Sequence, residues 1–322
     1  MNGKNTVALT FAVFFAVLLL WWLSLPAKPV TVVIGENASA RQIAEALYKA
    51  DAIASRVAFR AAVKLSGTAK QLKAGTYQIP ARTSLFGVIR MLSSGRGMYS
   101  KVTIPEGFTA AEIAGELYAR GIVNGDKFVK LVAGKRLEGY LFPDTYYFDR
   151  NLPEQVVVDK MLREFNRNFT PEMLSRAAEL KMSEAKIVTL ASIIEKEAVL
   201  PQERAHISGV FYNRMRKGWY LESCATVQYA LGEHKSVLSY KDVKVDSPYN
   251  TYRCYGLPPG PICNPGRESL KAALYPEKTD DMFFVASSSG AHVFSRYFSE
   301  HINNKHQMKK QRRQGKPSSI NN

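Results

Sequence analysis

Cysteine is scarce in this chain, with three among 322 residues. That is too few for a disulfide scaffold, and no C-x-x-C pair marks a structural zinc site. A glycine-rich phosphate loop, an H-E-x-x-H helix and a G-x-S-x-G elbow are all missing, so NTPase, zinc hydrolase and α/β-hydrolase readings lose their main support. The five histidines, at 206, 234, 292, 301 and 306, show no pairing at metal-ligand spacing. Acidic residues are also short, 28 against 44 Lys and Arg. The resulting formal charge of +16 calls for a polyanionic neighbour: nucleic acid, anionic lipid or an anionic wall polymer. A hydrophobic share of 46% and a mean hydropathy of -0.18 exclude both a disordered chain and a multi-span membrane protein. The length allows two domains with full-sized cores.

One long uncharged run is present, TVALTFAVFFAVLLLWWLSL at residues 6–25. At the rise of an α-helix it is long enough to cross a hydrocarbon layer of about 30 Å. Trp21 and Trp22 stand at its end, where indoles favour the lipid–water boundary, and Pro26 stops the helix. A cleaved signal peptide would have a shorter apolar core followed by small residues, and fits less well. Lys4 and the terminal amine precede the run, so the N-terminus is expected in the cytoplasm. The expectation is therefore a single-pass protein of the plasma (inner) membrane whose remaining chain lies outside it, extracytoplasmic or periplasmic. There is no nucleic acid to bind there, so the basic charge is expected to meet headgroups or wall polymer.

The chain also repeats itself. Residues 32–48 read VVIGENASARQIAEALY, and residues 102–118, 70 positions later, read VTIPEGFTAAEIAGELY, identical at eight of 17 places. Each copy alternates like a strand, turns, and opens a helix with a capping box, Ser39 with Gln42 and Thr109 with Glu112. Ser55 then caps a candidate second helix carrying Phe59, Ala62 and Val63, and LKAGTYQI at 72–79 reads as a strand able to pair with the first. This β–α–α–β order resembles a LysM-like carbohydrate-binding unit, and a small module without a ligand fits the pattern equally well. At the other end, residues 302–322 carry six Lys and Arg, no acid and little apolar bulk, the composition of a disordered tail.

Three segments carry candidate chemistry. LEGYLFPDTYYF (137–148) gathers tyrosines of the kind that stack on a pyranose face, or that simply fill a strand core. SEAKIVTLASIIEKEA (183–198) is a helix capped by Ser183 with a buried stripe of Ile187, Leu190, Ala191 and Ile194. Glu195 and Glu197 both border that apolar surface, where desolvation raises a carboxyl toward the range of a general acid, and spacing does not choose between them. SPYNTYRCYGLPPGPICNPG (247–266) is a stiff Pro/Gly loop suited to wall a groove, with Tyr249, Asn250 and Tyr252 offering amide and hydroxyl groups.

Taken in order, VTIPEG, LEGYLFPDTY, ASIIEKEA, the FYNRM run, TVQYALG, SPYNTY and GLPPGPICNPG resemble the YceG-like endolytic murein transglycosylases, the MltG family. The resemblance covers nearly everything from the apolar run to about Tyr297. It implies an α+β protein: anchor at 1–27, LysM-like domain at 28–97, mixed α/β catalytic domain at 98–301, basic tail at 302–322. It implies an enzyme that cuts peptidoglycan glycan strands internally, between N-acetylmuramic acid and N-acetylglucosamine, leaving 1,6-anhydro ends without metal or organic cofactor. Peptidoglycan synthases are candidate partners. The first Glu of the family's E-K-E triplet is the catalytic one, which maps to Glu195. Glu138, Tyr140, Glu197, Thr226, Gln228, Tyr229, Tyr249, Asn250 and Tyr252 fall on motif positions expected to bind substrate. One departure stands out: Cys224-Ala225 replaces the Asp-Pro of many members, with Glu222 just before it. In an oxidising compartment, pairing of Cys224 with Cys254 or Cys263 is a further expectation. A catalytically silent wall-binding or scaffolding protein is the alternative.

Overall fold

The structure is a computed structural model that describes residues 28–314 apart from 36, 96–97, 151, 234, 236–237 and 288–289. No helix among these residues is long and apolar enough to cross a membrane, and the apolar run at 6–25 lies outside them. The chain divides into two compact units. The first holds residues up to 102 together with 120–122 and 146–152; the second holds 103–119, 123–145 and the chain from 153 onward. No single cut separates them, because short returning segments complete the first unit.

The first unit is built on a sheet of order β1-β2-β3-β4, with β1 Val30–Ile34, β2 Gly75–Ile79, β3 Met98–Thr103 and β4 Thr145–Phe148. Strand β1 pairs antiparallel with β2 in the register Val32↔Tyr77, and β2 pairs antiparallel with β3. Between β1 and β2 come α1 (Ala40–Lys49) and α2 (Arg56–Leu65), so the β–α–α–β order read from the sequence is present. The caps are also where the sequence put them. Ser39 and Gln42 close a capping box and Ser55 accepts from the Ala58 amide. The structure adds Ser84, which caps α3 (Leu85–Ser94). Ile43, Leu47, Phe59, Val63, Tyr77 and Leu92 fill the core between helices and sheet.

The second unit is mostly helical. It runs through α4 (Ala110–Ala119), α5 (Gly125–Gly134), α6 (Glu154–Asn168), α7 (Pro171–Glu179), α8 (Glu184–Glu197), α9 (Arg204–Arg216), α10 (Cys224–Leu231) and α11 (Arg267–Leu274), then the hairpin β5 (Phe283–Ala286) and β6 (His292–Ser295). Helix α8 is the axis of this unit, packing against α7, α9, α10 and α11. Its residues from Ile187 to Ile194 are all buried, Thr189 and Ser192 included. A helix apolar nearly all round must lie inside the core, and the two hydroxyls are satisfied locally: Thr189 donates to the Ala185 carbonyl at 2.7 Å and Ser192 to that of Thr189 at 2.7 Å.

The tail expected from residue 302 is corrected over 302–314, which continue helix α12 (Phe298–Gln314). His301 stacks on Phe283 at 5.2 Å and Met308 is buried, so a thin stripe holds the helix against the β5–β6 hairpin. The proposed disulfide is also corrected, since all three cysteines are free thiols. Cys224 faces the Tyr252 hydroxyl at 3.2 Å, Cys254 the Ser247 carbonyl at 3.8 Å and Cys263 the Ser192 carbonyl at 3.3 Å.

Candidate active site

Glu195 lies in the last turn of α8, just beyond the fully buried stretch. Its side chain is 6% exposed, and both oxygens accept hydrogen bonds. Oε1 takes one from Arg204 Nη2 at 3.2 Å, and Oε2 one from the backbone N–H of Gly266 at 2.9 Å. Gly266 is the N-cap of α11, so the carboxylate sits at the amide-rich, partially positive start of a helix packed against its own. The guanidinium is held in turn: Arg204 Nε donates to Ser269 Oγ at 3.0 Å, and the arginine side chain is 14% exposed. Neighbouring Lys196 is exposed along its stem, yet its Nζ donates to the Gly107 carbonyl at 3.1 Å.

A second carboxylate approaches the same arginine. Glu106, from the turn of the second repeat copy, places Oε2 3.8 Å from Arg204 Nη2. Burial and the nearby Glu195 charge push its carboxyl above the usual range, while Arg204 opposes them.

The stiff loop is tied to this place by Asn264, which is fully buried. Its Oδ1 accepts from the amides of Gly139 and Leu141 at 2.9 and 2.8 Å, and its Nδ2 donates to the Phe108 carbonyl and Glu138 Oε1, both at 2.9 Å. Its backbone pairs with Gly107 and Phe108. One amide side chain thus joins three loops around Glu195. Glu138 also accepts from the Ala110 amide at 3.0 Å. Burial raises its carboxyl to about 7, against those hydrogen bonds. Tyr229 and Tyr249 lie near Glu138, with ring centroids 4.9 Å apart, and burial together with that carboxylate pushes both phenols up.

Glu197 points elsewhere. It accepts from the Ser223 hydroxyl and the Ala225 amide, and desolvation raises its carboxyl. It therefore anchors the start of α10. Tyr252 lies on that side, bound to Cys224. Three of the expected residues have other partners. Asn250 is buried, with Nδ2 spent on the Val243 and Val245 carbonyls at 2.9 and 2.8 Å and Oδ1 on the Tyr252 amide at 3.0 Å. Thr226 is buried between the Ser223 carbonyl and Thr251. Both shape the loops and have no group left to offer a sugar. Tyr140 is half-buried and packs edge-on against Phe165 at 4.9 Å, at the border of the core. Gln228 donates to the Lys235 carbonyl at 2.8 Å, and Glu222 is paired with Arg214 at 3.2 Å. The sequence reading missed Arg204, Asn264, Gly266 and the placement of Glu106. Asn264, Gly266 and Glu106 stood inside quoted motifs, whereas nothing in the pattern marked Arg204. A hollow of about 490 Å³, lined among others by Gly209, Tyr212 and Asp280, shares none of these residues. Among the described residues no cluster of His, Cys, Asp or Glu could hold a metal ion.

A mixed α/β scaffold that fixes one carboxylate between a guanidinium and a helix-start amide, with a second acid beside it, has the parts of an acid–base site. The chain belongs to the YceG-like family, whose profile matches residues 32–307. It is 36% identical to the endolytic murein transglycosylase of Bacillus subtilis over 300 residues, covering 84% of this chain and 82% of that one. An endolytic murein transglycosylase of Streptococcus pneumoniae is 28% identical over 86% of this chain, which spans 59% of that relative's length. The crystal structure of a YceG-like protein from Listeria monocytogenes superposes with a TM-score of 0.60 at 34% identity, covering 86% of this chain and 98% of that one.

Proposed function

We propose that this chain is an endolytic murein transglycosylase, anchored in the plasma membrane by residues 6–25 and acting on glycan strands outside it, beside the synthases that make them. The observation that carries the reading is the Glu195 carboxylate, nearly buried, with one oxygen on Arg204 and the other on the Gly266 amide. Two anchored oxygens leave the group one orientation, which is what transfer to a single glycosidic oxygen requires.

Ordinary glycosidases need two carboxylates, an acid and a base or nucleophile. A transglycosylase works with one, because the attacking group is the muramic acid's own 6-hydroxyl. Protonated Glu195 gives its proton to the glycosidic oxygen as the C1–O bond of N-acetylmuramic acid breaks, releasing the N-acetylglucosamine 4-hydroxyl. The Glu195 carboxylate then takes the proton of the 6-hydroxyl as that oxygen bonds to C1, closing the 1,6-anhydro ring and restoring the acid. Glu138, Tyr229 and Tyr249 form the neighbouring surface for the amino sugars.

Digestion of purified sacculi, with products analysed by mass spectrometry, tests this. Anhydro ends released from within strands by the wild type, and lost at Glu195→Gln with the fold retained by circular dichroism, are the expected result. Reducing ends would make it a hydrolase, and no release a silent wall-binding protein.

A further inference from the structure

Two acids, not one, face Arg204. The turn carrying Glu106 is fixed from both sides, by Lys196 Nζ on the Gly107 carbonyl at 3.1 Å and by the Gly107 amide on the Asn264 carbonyl at 2.9 Å. The Glu106 side chain then lies over Gly266, where a β-carbon would stand 1.8 Å from Oε1. Its Oε2 is 3.8 Å from Arg204 Nη2, the nitrogen that reaches Glu195 at 3.2 Å. The charged groups around Glu106 are Glu195 of α8, Arg204 of α9 and Glu268 of α11. Arg204 is the cation that both Glu106 and Glu195 reach, while Lys196 Nζ is held at the Gly107 carbonyl beside them.

An acid that gives and regains a proton spends part of each cycle neutral. While Glu195 is protonated, the nearly buried guanidinium loses its close negative partner, and an uncompensated buried charge is costly. We propose that Glu106 is a positioning residue for Glu195, taking over the Arg204 guanidinium while Glu195 holds its proton and yielding it back when Glu195 becomes the base. The inference rests on the acid–base role assigned to Glu195 above. Without Glu106 the guanidinium would bind the Glu195 anion unopposed and disfavour the protonated acid. The raised carboxyl of Glu106 fits two acids sharing one cation.

The test compares full-chain wild type, Glu106→Gln and Glu106→Asp in detergent on purified sacculi. Glu106→Gln is expected to lose activity by up to about a hundredfold. The alkaline limb of its pH–rate profile should move to lower pH by about one unit, and Glu106→Asp should restore the limb. In parallel, carboxyl-carbon NMR on glutamate-labelled protein follows Glu195 directly. Its titration midpoint should move the same way in Glu106→Gln, whether or not the sacculi are cut. An unmoved limb with an unmoved Glu195 titration overturns the proposal, including where activity falls only through misfolding. A wild type that cuts nothing overturns the transglycosylase reading, while the NMR titration still decides the coupling.

Discussion

Three glutamates of one neighbourhood differ by what each touches. Glu195 is fixed by a cation and an amide, Glu106 shares the cation, and Glu138 is buried among loop amides with no cation among its partners. Glu138 therefore makes stability depend on pH. Its folded-state value of about 7 lies above the ordinary 4.5, so the folded protein holds the extra proton between those limits. Its contribution is fully present below about 4.5 and is lost as pH rises through 7, by at most about 3 kcal/mol. Urea midpoints measured from pH 4.5 to 8 should show this fall in the wild type and a flatter profile in Glu138→Gln. Gly266 gives a second test at this scale. A β-carbon there collides with the far end of the Glu106 side chain, which is 49% exposed and free to swing away. Gly266→Ala should change the melting temperature little, a loss of about 0.5 kcal/mol, yet reproduce the kinetic defect and pH shift of Glu106→Gln.

Elements with a local signature were legible in the sequence. The serines at 39, 55 and 183 cap the helices they were expected to cap, because a short side chain bonding its own helix start needs no distant partner. What spacing could not settle was set by packing. A one-sided stripe on α8 is in fact a helix buried all round, and Thr226 and Asn250, read as sugar ligands, bond to their own loops. Helix α12 escaped notice because its contact stripe, centred on His301 and Met308, is too thin to stand out from a basic, polar run. Helix α9 carries another constraint invisible to periodicity. A β-carbon at Gly209 would lie 2.4 Å from the Glu277 carbonyl oxygen, which belongs to backbone tied by its own amide to the Ala205 carbonyl. Unlike Glu106 at Gly266, that neighbour has no side-chain rotation to give. Gly209→Ala should therefore destabilise by roughly 1–3 kcal/mol, read as a lowered urea midpoint with an unchanged pH–rate limb in the protein that remains folded.

For the molecule as a whole, the family motifs located the second unit, but the interleaving of the two units was not legible. Segments 120–122 and 146–152 return to the first unit through long-range contacts that no local window contains. Arg204 was hidden for the same reason: it meets Glu195 across nine positions and Glu106 across a far longer stretch of chain. Net charge is the one whole-molecule property that composition states outright. A formal +16 raises the local concentration of a polyanionic substrate without touching the reacting atoms, and salt screens that attraction over about 10 Å at 0.1 M. The Glu195–Arg204 pair is nearly buried, so it is screened far less than the surface lysines. On the transglycosylase reading the two effects separate in kinetics on a soluble, uncrosslinked glycan polymer. Raising salt from low to about 0.3 M should raise KM severalfold while leaving kcat nearly constant. A kcat that fell in step with KM's rise would mean that the surface charge acts on the chemical step, and that the catalytic ion pair is open to solvent in the working enzyme.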